Sequence, residues 1–332
     1  MRIFLAGDHY SGTGPANVTK YYIDNLPEGT LYQKRRSRSA RALEIILNTV
    51  RSDVVVYSGY SKQNILGLKA ARILKKPSAY IMHGCVEHEN AINLEPDETM
   101  SRIERQTLEM ADIILAVSER FCLWLKEHYP EYADKIDFVS NGIDTALFEG
   151  APQENETDRH MILSVGGGMP RKMIRYICDA VALLREDYDP DMYLCVVGDT
   201  GADTAKIRSY EFVRYLGIVP FEESVKLFSR AALFVQNSSF ETFGLAPVEA
   251  SLVGCSTLCS KEIGALDIIN NVLPEDIIEK YSDPKEIAKK IRYLLENPNA
   301  KRLRAGIETE LYSWKTRSSV LESKLSELVL KR

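Results

Sequence analysis

The chain reads as two tandem α/β units, each a parallel sheet covered on both faces by helices. Three observations carry that reading. At 332 residues the chain is about twice the usual length of one domain. Short apolar runs alternate with longer stretches of helical spacing through both halves, the pattern of strands joined by helical crossovers. The alternation stops once, in the polar, Pro- and Gly-containing stretch FEGAPQENETDRH (148–160), and then restarts. The first domain is therefore placed at 1–150 and the second at 151–332.

In the first half, RIFLAG opens the chain as a buried strand ending in Gly7. VVVYSG (54–59), SAYIMHG (78–84), DIILAVS (112–118) and DFVSNG (137–142) follow as strands. Between the first two lies SARALEIILNTV, in which Leu43, Ile46, Leu47 and Val50 share one helix face. The second half supplies MILSVGG (161–167), YLCVVGD (193–199), FVRYLGI (212–218), ALFVQNS (232–238) and STLCS (256–260). Helical patterns separate them, including Glu223–Ser229 and Pro247–Val253. The closing TRSSVLESKLSELVLKR predicts an amphipathic helix that packs back onto another element, the first domain included. Open α/β sheets bind ligands beyond the carboxyl ends of their strands. Two such sheets facing each other predict a deep cleft.

Composition narrows the function. A net charge of −5 gives no case for nucleic acid as partner. The charge is uneven: residues 1–76 carry a net +8 and residues 77–150 a net −10. The basic part is densest in QKRRSRSAR (33–41), which suits either an anionic membrane surface or a solvated loop. Six cysteines are scattered, and Cys255 and Cys259 lack a second Cys/His pair, so no zinc site is expected. Reduced thiols, no leader peptide and no apolar run near the ~18 residues of a membrane helix predict a cytoplasmic protein, at most peripheral to the membrane's inner face.

ETFGLAPVEA (241–250) holds the chemistry. Pro247 suits a first helical turn, so the N–H groups around Phe243, Gly244 and Leu245 would be free to meet an anion, phosphate above all. Two carboxylates beside a phosphate site do not bind phosphate; they accept hydrogen bonds from hydroxyls. Glu249 would hold a ribose diol and Glu241 a sugar beyond the phosphates, which together describe a nucleotide diphosphate sugar. Glu249 alone would equally complement the helix macrodipole. SGTGPAN is not a dinucleotide fingerprint, because Asn17 stands where a third Gly belongs and Asp24 is too close to serve a ribose.

ETFGLAPVE is similar to the signature of the family 4 glycosyltransferases, two Glu separated by seven residues around a Phe-Gly-Leu turn. HYSGTGPANV (9–18), AVSERFCLWL (116–125), VSNGIDTALF (139–148) and VGGGMPRK (165–172) resemble further family segments, in the family's order. The resemblance implies the GT-B fold of two facing Rossmann-like domains. It also implies transfer of a sugar from a nucleotide donor with retention of configuration. By the same resemblance His83, Glu241 and Lys172 are catalytic. Lys172 would neutralise the leaving diphosphate, and His83 would lie beside the donor sugar. Gly12, Gly14, Gly167, Arg171, Phe243, Gly244, Leu245 and Glu249 complete the donor site. No metal or cofactor is expected. The donor is expected to carry UDP, with GDP second, and the acceptor to be a glycan or lipid-linked glycan of cell-surface polysaccharide. A nucleotide-sugar epimerase and a catalytically weak nucleotide-sugar binder are the alternatives. One departure stands out: the family's Arg just after Val-Gly is Gly167 here, so phosphate charge would rest on Lys172 with help from Arg171 or Arg175.

Overall fold

The computed structural model describes residues 1–148 and 157–331. The expected boundary at 150 and the middle of the expected linker fall outside them. In chain order the elements are β1 (Ile3–Gly7), α1 (Gly14–Asn25), β2 (Leu31–Tyr32), α2 (Arg38–Arg51), β3 (Val54–Ser58), α3 (Lys62–Ile73), β4 (Ser78–Met82), α4 (Val86–Ile92), α5 (Glu98–Met110), β5 (Ile113–Ala116), α6 (Glu119–His128) and β6 (Ile136–Phe138). There follow β7 (Asp158–Val165), α7 (Ile174–Asp187), β8 (Tyr193–Val197), α8 (Thr204–Arg208), β9 (Val213–Gly217), α9 (Phe221–Arg230), β10 (Ala231–Gln236), α10 (Leu245–Val253), β11 (Thr257–Ser260), β12 (Ile277–Ile278), α11 (Pro284–Glu296), α12 (Ala300–Ala305) and α13 (Trp314–Leu330).

Two compact units result. One comprises Met1–His88, Asp97–Ile143 and Thr309–Arg332; the other comprises Glu89–Pro96 and Asp144–Glu308. Each holds a six-stranded parallel sheet, ordered β2-β1-β3-β4-β5-β6 in the first and β12-β11-β10-β7-β8-β9 in the second. Every residue of β1, β3 and β4 is buried. A strand covered on both faces must be apolar on both, which is why these strands read as continuous runs. In the second unit, Ile177, Val181 and Leu184 of α7 and Ile287 and Ile291 of α11 pack with Leu194, Val196 and Leu233 of the sheet. Leu227 and Phe228 of α9 and Ala250 of α10 pack with Met161, Leu163 and Phe234. Helix starts are fixed locally: Ser61, Asp97, Ser118, Asp283 and Ser313 each accept a backbone N–H from the helix they open.

The last helix belongs to the first unit. Trp314 stacks on Tyr21 with ring centroids 4.7 Å apart and meets Tyr22 edge-on at 5.5 Å. Gly142 leaves room for it, since a Cβ there would lie 2.6 Å from the indole. Leu321 and Leu325 are fully buried, and Lys324 pairs with Asp137.

α2 turns its aliphatic face outward. Leu43, Ile46, Leu47 and Val50 do share a face, but that face is exposed; Ile45 and Thr49 are the residues α2 buries. Gly67 of α3 sits against Ile45 and Tyr57. Close helix packing there is served by two residues, leaving the longer stripe outside.

Candidate functional site

Sheet order locates the site of the second unit. From β7 the chain runs outward through β8 and β9, then returns to place β10, β11 and β12 on the other side. Neighbouring strands whose connections diverge leave a crevice at their carboxyl ends. Here those strands are β7 and β10, followed by Lys172 and Glu241.

The two side chains meet there as a buried ion pair. Arg171 Nη1 also donates to Glu241 Oε2 at 3.3 Å and to the Phe240 carbonyl at 3.2 Å. Gln236 Nε2 and Ser238 Oγ complete the surroundings of that oxygen at 3.2 and 3.4 Å. Arg171 is held from behind as well, with Glu89 3.5 Å from its Nε. Its backbone N–H donates to Asn93 Oδ1 at 3.2 Å, and its carbonyl accepts the Ser239 N–H at 2.8 Å. Two cations thus face two carboxylates. Burial raises the Glu241 carboxyl, but Lys172 and then Arg171 outweigh it and bring it below the ordinary range. Burial lowers the Lys172 ammonium, with Glu241 offsetting only part. Arg175 stands apart and pairs with Asp203 at 3.3 Å.

Gly244 shapes the next turn. It has φ +82°, and a Cβ on it would lie 2.8 Å from Glu241 Cγ, so this position favours glycine on both counts. The carbonyls of Glu241 and Phe243 accept the N–H groups of Gly264 and Ala265 at 3.0 and 2.7 Å. Leu245 begins α10, whose leading N–H groups have no partner inside the helix. Glu249 lies one turn along α10, where burial pushes its carboxyl up to about 7.

Gly167 is not a phosphate donor in this structure. The N–H groups of Gly166 and Gly167 both donate to the Val197 carbonyl, at 2.7 and 3.0 Å, and that of Gly168 to the Asp199 carbonyl at 2.9 Å. The loop after β7 is fastened to the end of β8, and its N–H groups are consumed in the fastening. Gly167 has φ +59°, and a Cβ there would run into the Asp199 carbonyl. A side chain at 167, Arg included, requires a different loop.

His83, Gly12 and Gly14 lie in the other unit. His83 follows β4, and its Nε2 is 2.7 Å from Ser58 Oγ at the end of β3. Ser58 Oγ is 2.7 Å from Thr19 Oγ1, which donates its proton to the Pro15 carbonyl at 2.9 Å. With that proton committed, Ser58 donates to Thr19, and His83 Nε2–H donates to Ser58. Burial holds the ring down to about 4, so it is neutral at pH 7. Gly12 and Gly14 lie in the exposed loop and start of α1 after β1, with open space where a Cβ would go; only Gly12, at φ +72°, needs to be glycine for its backbone.

Sequence reasoning missed Gln236, Ser238, Glu89 and Asn93. The first two carried a sign: ALFV runs into buried polar Gln236, Asn237 and Ser238. Glu89 and Asn93 carried none, being some eighty positions from their partner. Among the described residues, His160, Asp189 and Asp191 bring metal-ligand atoms within 4.8 Å of one another. Both ring nitrogens of His160 are engaged, by Asp189 at 2.8 Å and by Arg159 at 3.1 Å. The group also sits at the start of β7, the end opposite Lys172.

The family model described as Glycosyltransferase Family 4 matches residues 4–147, and that described as Glycosyl transferases group 1 matches residues 149–310. The chain is 24% identical over 302 residues to the D-inositol 3-phosphate glycosyltransferase of Corynebacterium efficiens, covering 82% of this chain and 71% of that protein. It is 26% identical over 261 residues to the protein of that name from Corynebacterium glutamicum, covering 70% of this chain and 62% of the relative. Among solved structures, Anabaena HepE in complex with UDP and glucose shares the fold, with a TM-score of 0.71, 14% identity, and 98% and 99% of the two chains covered. Sucrose-phosphate synthase from Thermosynechococcus elongatus does so with a TM-score of 0.70 and 17% identity over both whole chains.

Proposed function

Because the chain belongs to the family 4 glycosyltransferases and has their GT-B fold, we propose that it moves a sugar from a nucleotide diphosphate sugar to a glycan or lipid-linked glycan acceptor. A UDP-sugar is the favoured donor and a GDP-sugar the second, with cell-surface polysaccharide as the setting. The observation that carries the reading is the buried Lys172–Glu241 pair at the β7/β10 crevice, backed by Arg171. HepE's complex with UDP and glucose and the names of the curated relatives support the donor and the sugar chemistry.

In the unliganded cluster the two cations are spoken for by two carboxylates. A diphosphate entering beside α10 would draw Lys172 onto its oxygens and free Glu241 to accept hydroxyls of the sugar. Glu249, from within α10, would accept the ribose hydroxyls in its ionised form. A neutral His83 would hydrogen-bond a sugar hydroxyl without adding charge. In the transfer itself, the bond from the anomeric carbon to the phosphate oxygen breaks as the bond to the acceptor oxygen forms on the same face. The acceptor's proton passes to the departing phosphate. Positive charge on Lys172 stabilises that leaving group in place of a metal ion.

Calorimetry of UDP, GDP, ADP, dTDP and CMP binding with EDTA present tests this, on wild type and Glu249→Ala. One diphosphate is expected to bind, and the variant to weaken it by about 1–3 kcal/mol, the worth of hydrogen bonds to a charged group. Release of nucleoside diphosphate only when acceptor is added separates transfer from epimerisation and from mere binding. Absence of binding by any of the five refutes the donor site. The basic stretch 33–41 is proposed as a peripheral contact with an anionic membrane that carries the acceptor.

A further inference from the structure

We propose that the outward faces of α2 and α3 together form a docking surface for an anionic lipid bilayer. This deepens the lipid-linked acceptor proposed above and rests on it only for its purpose. On α2, Leu43, Ile46, Leu47 and Val50 are 59%, 40%, 46% and 54% exposed. Their i, i+3, i+4, i+7 spacing sets them in one stripe, opposite the buried Ile45 and Thr49. α3 lies beside α2, so close at Gly67 that a Cβ there would meet Ile45 Cγ2 at 2.6 Å. The exposed stripe of α3 reads Lys62, Leu66, Lys69, Ile73, with Ile73 81% exposed. Six large aliphatic side chains therefore face outward from two adjacent helices. Aliphatic surface gathered in this way, unlike single exposed residues, marks an interaction site.

Charge selects the occupant. Between residues 33 and 76 there are eleven Lys and Arg against Glu44 and Asp53, in a chain whose net charge is −5. Glu44 is occupied with the backbone N–H groups of Lys34 and Arg35, at 3.0 and 2.8 Å. An aliphatic stripe rimmed by cations is the pattern of an interfacial element that sinks its apolar side chains between lipid headgroups while its cations meet anionic lipid. A second copy of the chain would bring the same cations against each other. Nucleic acid would leave the aliphatic side chains without base-stacking partners. Among the described residues no helix is long and apolar enough to cross a membrane, so the surface would hold the protein on the bilayer.

The full chain is sedimented with vesicles of phosphatidylcholine alone or mixed with phosphatidylglycerol. Binding is expected only to the mixed vesicles and to weaken as salt rises. Leu43→Gln/Leu47→Gln and Arg35→Gln/Arg38→Gln should each weaken it by about tenfold or more, with the melting temperature unchanged because all four sites are exposed. Equal binding to both vesicles, no binding to either, or variants that bind like wild type would each overturn the proposal. So would a concentration-dependent dimer abolished by Leu43→Gln/Leu47→Gln, since a second copy would then cover the stripe. Nucleotide calorimetry on the same preparations reports separately on the donor site: vesicle binding without nucleotide binding sinks the donor reading and supports this one.

Discussion

Replacing Glu249 with Gln exchanges a carboxyl for an amide of the same shape, at a place where burial raises the acid from its ordinary 4.5 to about 7. Between those two pH values the unfolded chain gives up this proton while the folded chain keeps it. Rising pH therefore favours the unfolded state through this group, and the loss is complete above about 7. At about 1.4 kcal/mol per pH unit the gap amounts to about 3 kcal/mol. Glu249→Gln has no such titration. Urea unfolding of both proteins at several pH values should show the variant gaining on wild type from pH 4.5 to pH 7, then running parallel. Using the difference cancels every other titrating group. Ribose hydroxyls that require an ionised Glu249 must pull the proton off, so nucleotide affinity of wild type should rise with pH up to about 7, while the variant's stays flat and weaker. A pH-independent stability difference would refute the buried, proton-holding Glu249. Affinity that ignores pH in both proteins would refute its role at the ribose.

Three further outcomes follow from the same geometry. Lys172→Met and Glu241→Gln should each destabilise the fold, and the double variant should recover part of the loss, giving a coupling energy of about 1–3 kcal/mol in a denaturation cycle; strict additivity would mean the pair is not formed. Gly167→Arg, which restores the family's usual residue, should lower stability by about 1–3 kcal/mol and bring no gain in nucleotide affinity, because the residue is in the left-handed region against the Asp199 carbonyl; tighter binding with unchanged melting would show that the loop rearranges freely. Nitrogen-15 NMR of His83 should find the proton on Nε2 at pH 7, and Ser58→Ala should disturb that preference; a proton on Nδ1 in wild type would break the Thr19–Ser58–His83 chain.

Strands were the most legible part of the sequence. Ten of the runs read as strands became β1, β3 to β6 and β7 to β11; the continuous apolar runs of β1, β3 and β4 are buried throughout, as strands covered on both faces must be, while β9 buries no residue fully. Leu31–Tyr32 and Ile277–Ile278 left no such trace, since two-residue edge strands are too short to carry a period. Helix orientation was harder. Leu43, Ile46, Leu47 and Val50 have ideal amphipathic spacing, yet α2 turns them outward, because spacing fixes which residues share a face and not what that face meets. At the β7/β10 crevice, Lys172 and Glu241 were legible from local turns, while Glu89 and Asn93 reach Arg171 through chain reversal that no local pattern records. At Gly167 the neighbours in sequence suggest phosphate, while in this structure its N–H serves the end of β8, a contact that no local pattern records.

Trp314 has a consequence for how the protein is made. The first unit needs α13, with Trp314 filling the space between Tyr21, Tyr22 and Gly142, yet all of the second unit except Glu89–Pro96 is encoded between Gly142 and Trp314. On the ribosome, residues up to 143 emerge early and must wait, with the seat of that indole uncovered, until the chain beyond 309 leaves the tunnel. The second unit is complete before the first. A nascent chain stalled short of Trp314 would therefore carry one finished domain and one open one, and would be the natural client of a chaperone.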